Sequence, residues 1–378
     1  MKRRLDSISP TRNGINNMLN SNHYIPILKW KRAEQGALKA LTEKHKQYMT
    51  PLIQFVMPKS KPQEKLEDAV EKFEEQALQI PARVMEVWGS SPIFVDVSLL
   101  FTTPLKVKSL GDISRGGHEL GGVFIPVIHL NDDQEIKQAA YSLAKENDSG
   151  LCLRLICSDF SDPKRLEEAL ANLLSSSGLR EKDIDLMVDI KETEKTTDKY
   201  TKYLLLSQDI SNLPKWRAFI FAGGSFPENL SECKIDEENL LPRIDWKSWR
   251  EHIDSKKLKR NPAFSDYAIQ HPIYKETSQF FHPTSSIKYT LENEWLIMKG
   301  KKQKFDLYLA SAATLIKDKR FYGENFSDGD KYIAEKAKHF EAYIKKPAIK
   351  GTGSTETWLK AGINHHLTLV AHQVSTLS

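Results

Sequence analysis

Single polar side chains interrupt most of the apolar, β-branched runs of this 378-residue sequence. They are Lys29, Gln54, Asp96, His129, Arg154, Asp189, Asp266 and Gln270. An unpaired charge inside an apolar strand costs several kcal/mol, so such groups are tolerable only where they meet one another. The pattern therefore predicts one polar pocket that collects side chains from different strands.

The residue types in this set suit two kinds of chemistry. Lys29 and Arg154 could hold a phosphate or carboxylate group, the arginine through its bidentate fork. Asp96, Asp189 and Asp266 could act as general acid and base, or bind a divalent cation such as Mg²⁺ or Mn²⁺. Carboxylates paired with lysine or arginine need no metal, so the sequence leaves the metal and any cofactor open. A buried ionic network that serves packing alone is the alternative.

The apolar runs themselves predict the fold. They occupy residues 24–30, 51–57, 93–99, 123–129, 151–157, 184–190, 217–223 and 265–271, and amphipathic helical stretches fill most of the intervals. Alternating strands and helices indicate a parallel sheet, and eight such strands predict a closed (β/α)8 barrel of the TIM type. A doubly wound open sheet is the alternative, but no GxGxxG motif follows the first run.

The positions within the runs indicate which end of the barrel binds ligands. Lys29, His129, Asp189 and Gln270 lie near the C-terminal ends of their runs, where barrel enzymes carry their active sites. Gly223–Gly224 follows the seventh run, where backbone N–H groups often bind phosphate, although a two-glycine turn is common. The interval 100–122, including RGGHELGG at 115–122, shows no clear helix and predicts a long loop.

The pattern changes near residue 276. Residues 285–290 and 294–301 predict a β-hairpin, and three helical stretches follow, the last with an N-cap at Ser354 or Thr355. We therefore divide the chain into a basic flexible arm (1–20), the barrel (21–275) and a C-terminal extension (276–378) that supplies the eighth helix and caps the barrel. His365 and His372 on the last helix are expected to pack or cap, and the basic stretch 299–304 to be solvated.

Composition limits the cellular context. The formal charge is +5, from 55 basic and 50 acidic residues, which permits an anionic partner without indicating a dedicated DNA-coating protein. Three cysteines without a CxxC pair argue against a zinc cluster or a disulfide framework and favour a reducing compartment. There is no apolar run of about 18 residues, so we expect no membrane span.

Several motifs together resemble the beta protein family, which is named after a protein of a satellite bacteriophage. They are YIPILKWKRAEQGAL, SDYAIQHP, SSIKYT, WLIMKGK and the terminal W-x5-NHH, and the resemblance runs from about residue 23 to the last helix. The matching family positions are Lys29, Lys31, Glu34, Asp266, Tyr267, Gln270, His271, Tyr289, Trp295, Trp358, Asn364, His365 and His366. The resemblance implies a bacterial cytoplasmic protein of phage–host conflict, and it implies no particular reaction.

Three hypotheses follow for function. In the first, the barrel mouth grips a phosphate of a nucleotide or nucleic acid through Lys29 and Arg154, with Lys31, Gln54, His129, Gln270, His271, Gly223 and Gly224 as further binding groups. An aspartate then promotes hydrolysis. In the second, the same pocket is a non-catalytic sensor of an anionic ligand. In the third, the chain is a structural subunit that binds another defence protein, and the charges form an inert network.

Overall fold

Eight parallel strands close into a barrel. The computed structural model describes residues 19–58, 65–275, 284–302, 304, 306–347 and 351–377. In chain order the strands are β1 (Tyr24–Lys29), β2 (Leu52–Gln54), β3 (Ile93–Asp96), β4 (Phe124–Ile128), β5 (Leu151–Ile156), β6 (Ile184–Glu192), β7 (Ala218–Gly224), β8 (Glu238–Pro242) and β9 (Ala263–Asp266). All except β8 form the barrel, and β9 pairs with β1 to close it. The predicted barrel is confirmed, and the open sheet is excluded.

Helices surround the barrel on the outside. They are α1 (Arg32–Lys39), α2 (Glu43–Lys46), α3 (Leu66–Ala77), α4 (Ile80–Val87), α5 (Thr103–Glu119), α6 (Gln134–Glu146), α7 (Pro163–Ser177), α8 (Asp198–Ser207) and α9 (Ile244–Ser255). Their apolar faces pack on the outward side chains of the strands and form one continuous core. Of the helices in the described ranges, none has both the length and the apolar character to cross a bilayer.

The third crossover differs from its predicted form. Residues 100–122 were expected to form a loop, but α5 occupies Thr103–Glu119 of this interval, including most of the RGGHELGG stretch. Thr102 caps the helix by accepting a hydrogen bond from the backbone N–H of Leu105. The glycines interrupt the apolar periodicity by which a helix is recognised in a sequence. In the structure they allow close packing, since a Cβ atom at Gly117 would collide with the ring of Phe124.

A second, antiparallel sheet accompanies the barrel. Its strands are β8, β10 (Thr284–Thr290) and β11 (Glu294–Lys302), in the order β10-β11-β8. The predicted hairpin of β10 and β11 is confirmed. The sequence did not reveal β8, whose five residues alternate between exposed and half-buried and carry no long apolar run. Residues 1–18 of the predicted N-terminal arm lie outside the described residues.

The three predicted C-terminal helices are confirmed as α10 (Leu307–Leu315), α11 (Asp328–Lys345) and α12 (Thr355–Ser375). Ser354 caps α12 by accepting from the backbone N–H of Thr357 at 3.2 Å, as predicted. Helix α12 packs against α1 and β1, which is the position expected for the eighth helix of the barrel.

Buried polar contacts join α12 to the rest of the protein. Asn364 donates to the carbonyl oxygen of Ala37 in α1 at 3.0 Å. The next residue, His365, lies 2.8 Å from a carboxylate oxygen of Asp330 in α11, and His366 lies 2.9 Å from Asp266 at the end of β9. The structural role predicted for His365 is thus supported by its contacts, whereas His372 is exposed.

Replacing Gly117 by alanine tests the close packing of α5. We expect Gly117→Ala to lower the free energy of unfolding by about 1–3 kcal/mol, because the added methyl group overpacks the site against Phe124. The matched control is Gly36→Ala in α1, where the nearest atom belongs to the flexible side chain of Lys360 at 3.1 Å. That change should be neutral or stabilise by up to about 1 kcal/mol. Urea unfolding measures both, and equal effects would contradict the packing argument.

Candidate functional site at the barrel mouth

Alternation along the strands places five of the predicted residues inside the barrel. A buried apolar cluster in the lumen includes Ile27, Leu52, Phe94, Cys152 and Met187. Side chains two residues further along a strand point to the same face, towards the C-terminal end of the barrel. Those residues are Lys29, Gln54, Asp96, Arg154 and Asp189. The five side chains therefore lie on one face of the sheet, at the C-terminal end of the lumen.

Arg154 is the centre of this polar layer and is fully buried. Its guanidinium donates to the carboxylate of Asp189 at 3.0 and 2.7 Å, to the carboxylate of Asp96, and to the hydroxyl of Tyr267 at 2.8 Å. Tyr267 in turn donates to Asp189 at 2.7 Å, and Gln54 donates to Asp96 at 3.1 Å. The layer links side chains that come from β2, β3, β5 and β6 and from the end of β9.

The aspartates are also held by backbone N–H groups two residues further along the chain. The second carboxylate oxygen of Asp96 accepts from the backbone N–H of Ser98, and that of Asp189 accepts from the N–H of Lys191, both at 2.8 Å. An aspartate that bonds the backbone two residues on is a common turn device. At Lys191 the turn needs a left-handed backbone conformation, with φ of 58°. The local backbone thus holds one oxygen of each carboxylate, and Arg154 binds the other.

Both aspartates are ionised. Burial alone would raise their pKa values, but the positive charges outweigh it. For Asp96, Arg154, His129 and the N–H of Ser98 lower the pKa to about 2. For Asp189, the ammonium of Lys191 and the guanidinium of Arg154 hold the pKa well below its usual range. Carboxylates in this state accept hydrogen bonds and are poor general acids.

A rim of polar residues lies around the polar layer. Lys29 donates to the side-chain oxygen of Gln270 at 3.5 Å, and Gln270 donates to Glu34 of α1 at 2.7 Å. Glu34 is buried, and its other carboxylate oxygen has no hydrogen-bond partner among the described residues. The ammonium groups of Lys29 and Lys31 lie 5.7 and 4.5 Å from the ring centre of Tyr274. The rim therefore contains both acidic and basic groups.

The rim shifts the pKa values of its own members. Burial, with the nearby positive charges of Lys31, Lys191 and Arg154, lowers the pKa of Lys29 to about 8, although Glu34 opposes the shift. Burial raises the pKa of Glu34. The mouth therefore disfavours charge on both side chains while it is shielded from water.

The remaining predicted binding residues differ in their placement. His129 follows β4, and its buried Nε2 atom makes no hydrogen bond to described residues. His271 lies 3.5 Å from Glu192 at the end of β6. Gly223 and Gly224 end β7 and are packed closely, since a Cβ atom at Gly224 would lie 2.9 Å from Pro272.

The loop after β7 already holds an anionic side chain. Ser225 donates from its backbone N–H and its hydroxyl to the carboxylate of Asp245, at 3.2 and 2.8 Å. The predicted phosphate site at Gly223–Gly224 thus adjoins an internal carboxylate. This contact gives no support to phosphate binding there.

Asp266 does not join the other predicted residues. It ends β9 on the outward face, where it accepts from the hydroxyl of Tyr24 and from the backbone N–H of Ala268 at 2.9 Å, and contacts His366 of α12. The eighth strand was predicted at 265–271, but it spans Ala263–Asp266. The residue that points into the lumen is Tyr267, which follows Asp266 in the chain. The expectation that Asp266 faces the pocket is wrong because adjacent strand residues face opposite sides.

The strand pattern missed several residues of the mouth. Lys191, whose ammonium lies 3.0 Å from Asp189, belongs to β6 but follows the apolar run that identified the strand. Glu34 comes from a helix, so strand alternation could not find it, although the family resemblance includes it. At the opposite end of the barrel a second buried pair, Asp185 and Arg217, was also missed, with donor–acceptor distances of 2.8 and 2.6 Å.

The described residues contain no group of three or more His, Cys, Asp or Glu side chains arranged to hold a metal ion. The acidic side chains of the mouth contact arginine, lysine, tyrosine and glutamine instead. The Mg²⁺ or Mn²⁺ site considered from the sequence finds no donor set in this part of the chain.

Comparison with known protein families identifies the family of this sequence. The family model described as Beta protein matches residues 24–372. The chain belongs to the Beta protein family. The match includes the barrel, its mouth and nearly all of the C-terminal extension. No curated protein and no solved structure matches the chain.

Removing the charge of Asp189 tests the role of the polar layer. We expect Asp189→Asn to lower the free energy of unfolding by about 3–5 kcal/mol, because it leaves Arg154 buried without its main counterion. The control is Asp209→Asn, which breaks an exposed pair with Lys259 and should cost about 0–1 kcal/mol. Denaturant unfolding of both variants measures these changes. Equal, small decreases in the free energy of unfolding would show that the layer is not structural.

The lowered pKa values of Asp96 and Asp189 predict acid sensitivity. A carboxylate whose folded-state pKa is lowered contributes stability above its unfolded pKa of about 4 and loses it as the pH falls through the folded value. For Asp96 this window runs from about pH 4 to about pH 2. Urea midpoints measured at steps across this range should fall steeply in the wild type and less steeply in Asp96→Asn. Identical slopes would be inconsistent with an ionised Asp96.

Proposed function

We propose that the barrel mouth binds an anionic, phosphate-bearing ligand. The observation that carries this proposal is the convergence of Lys29, Lys31, Lys191 and Arg154, whose positive charges are close enough to lower the pKa of Lys29 together with burial. An anion placed among these groups would relieve their mutual repulsion. Barrel enzymes bind ligands at this C-terminal end.

Lys29 is the residue best placed to contact the ligand. Its side chain is buried, and the hydrogen bond that it donates to Gln270 in the rim is long at 3.5 Å. Lys191 pairs with Asp189, but 35% of its side-chain surface is exposed, so a ligand that enters from solvent can reach it. Arg154 donates to Asp96, Asp189 and Tyr267 and therefore serves the ligand through its charge more than through free N–H groups.

The geometry supports binding better than hydrolysis. The oxygens of Asp96 and Asp189 accept hydrogen bonds from Arg154 and from the turns, which leaves neither carboxylate free to take a proton from water. One observation favours hydrolysis as the second candidate. Glu34 has a raised pKa and a carboxylate oxygen without a described partner, and Gln270 orients it. Glu34 is therefore the general acid or base of that alternative.

The cellular role proposed here rests on the family. Its phage-conflict context supports a bacterial cytoplasmic defence protein in which the mouth senses a nucleotide or nucleic-acid phosphate. The extension, joined to β9 through His366 and Asp266, would then pass the event to a partner defence protein. A purely structural subunit remains the competing role, and ligand binding separates the two.

Lys29→Met tests the binding site, because methionine keeps much of the packing and removes the charge. We expect the dissociation constants for pyrophosphate and ATP, measured by calorimetry at pH 7, to rise at least tenfold, or about 1.4 kcal/mol. Wild-type binding should also weaken as the pH rises through about 8, where Lys29 loses its proton. The control Lys215→Met changes an exposed lysine before β7, at the other end of the barrel, and should bind as the wild type does.

Further measurements on the same variants separate the hypotheses. Phosphate release that is lost in Glu34→Gln while binding persists would favour hydrolysis over sensing. Protection against phage that is lost in Lys29→Met but kept in Lys215→Met would connect the mouth with defence. Wild-type protein that binds neither pyrophosphate nor ATP, or Lys29→Met that binds both unchanged, would overturn the proposal.

A further inference from the structure

A large cavity lies outside the barrel, between the antiparallel sheet and the loop that follows β7. Its volume is about 960 Å³, which is in the range of pockets that hold organic ligands. Its walls include Phe226, Ile269, Tyr308 and Trp358, and the last two rings are stacked at 4.8 Å. None of the mouth residues Lys29, Glu34 and Arg154 lines it, so it is a separate site.

The hairpin presents a basic face to this cavity. On β10, Thr284, Ser286 and Lys288 line it, and on β11 Lys299 and Lys301 do so. The intervening residues, such as Ile287 and Tyr289, belong to the apolar cluster under α10, α11 and α12. Strand alternation therefore separates a packed face from a cationic one, and the basic stretch contributes the half-buried Lys299 and the exposed Lys301 to the cavity wall.

The lysines differ in how far they are engaged. Lys299 donates to the carbonyl oxygens of Leu230 and Cys233 at 2.7 and 2.8 Å, so it anchors the loop. Lys288 lies 4.5 Å above the ring of Phe226 and donates to the carbonyl oxygen of Ile269 at 3.4 Å. Among the described residues no carboxylate lies within ion-pair distance of Lys288. Burial lowers its pKa to about 8, and no charged group in the described part of the chain opposes this shift.

We propose that this cavity binds an amphiphilic organic anion, with its anionic group at Lys288 and its apolar body against Phe226, Tyr308 and Trp358. Lys288 is half-buried, and its ammonium contacts a ring face and a carbonyl oxygen but no carboxylate among the described residues. An anion in the cavity would supply this missing counterion. The predominantly apolar walls and the volume disfavour a small inorganic ion. The exposed Lys301 at the edge attracts the anionic group from solution.

Anilinonaphthalene sulfonate, a fluorescent amphiphilic anion, serves as the probe. We expect saturable binding to the folded wild type, at least tenfold weaker binding to Lys288→Met, and binding within threefold of the wild type for Lys288→Arg. The control Lys317→Met alters an exposed lysine after α10 and should leave binding unchanged. Lys29→Met should leave it unchanged as well, which keeps this proposal distinct from the mouth.

Stability and competition make the test independent of simple misfolding. Lys288→Met should unfold cooperatively, at a temperature close to that of the ligand-free wild type, while it binds the probe more weakly. Dodecanoate should displace the probe, and dodecanol and inorganic phosphate should not. Displacement by dodecanol would indicate a purely apolar pocket, displacement by phosphate a simple anion site, and unchanged binding in Lys288→Met no role for the lysine. Each of these results would overturn the proposal.

Discussion

The buried guanidinium of Arg154 imposes the main constraint on this protein. A cation removed from water is tolerated only when its hydrogen bonds and its charge are both matched, and Asp96, Asp189 and Tyr267 provide that match from three other parts of the barrel wall. Because each partner arrives on a different strand or strand end, the network can form only when the sheet is closed. It therefore specifies the arrangement of the barrel as well as filling its upper lumen.

This constraint explains the division of roles at the mouth. The aspartates, fixed by their own turns and by Arg154, form a floor whose groups are fully engaged. Above it, Lys29, Glu34 and Gln270 make fewer contacts, and burial shifts the pKa values of Lys29 and Glu34. Lysine ends β1 because that position lies at the boundary between the fully engaged floor and the rim. Structural pairs and less engaged polar groups thus occupy successive layers of the mouth.

Much of the floor was predictable from sequence, because alternation needs only the strand boundaries. Lys29, Gln54, Asp96, Arg154 and Asp189 each follow an apolar lumen residue by two positions, and the structure places all five together. The orientation of Asp266 was predicted wrongly because the eighth strand was placed at 265–271 instead of Ala263–Asp266. With the correct bounds, Tyr267 follows the strand and points into the lumen. Glu34 could not be found in this way, since its approach depends on how α1 packs on the barrel. The helix α5 was missed because glycine, which lets it pack, also removes the periodic signal.

The strand β8 has a consequence for how this chain can be divided. It lies between β7 and β9 in sequence, yet its hydrogen bonds go to β11, more than fifty residues later. Barrel and extension are consequently interleaved, and no single cut in the polypeptide separates them. Truncation after β9 would leave the edge of β8 unpaired, and transplanting the C-terminal segment into another barrel would deliver an incomplete sheet. A contiguous segment taken from either part would therefore carry only some of the strands of the antiparallel sheet.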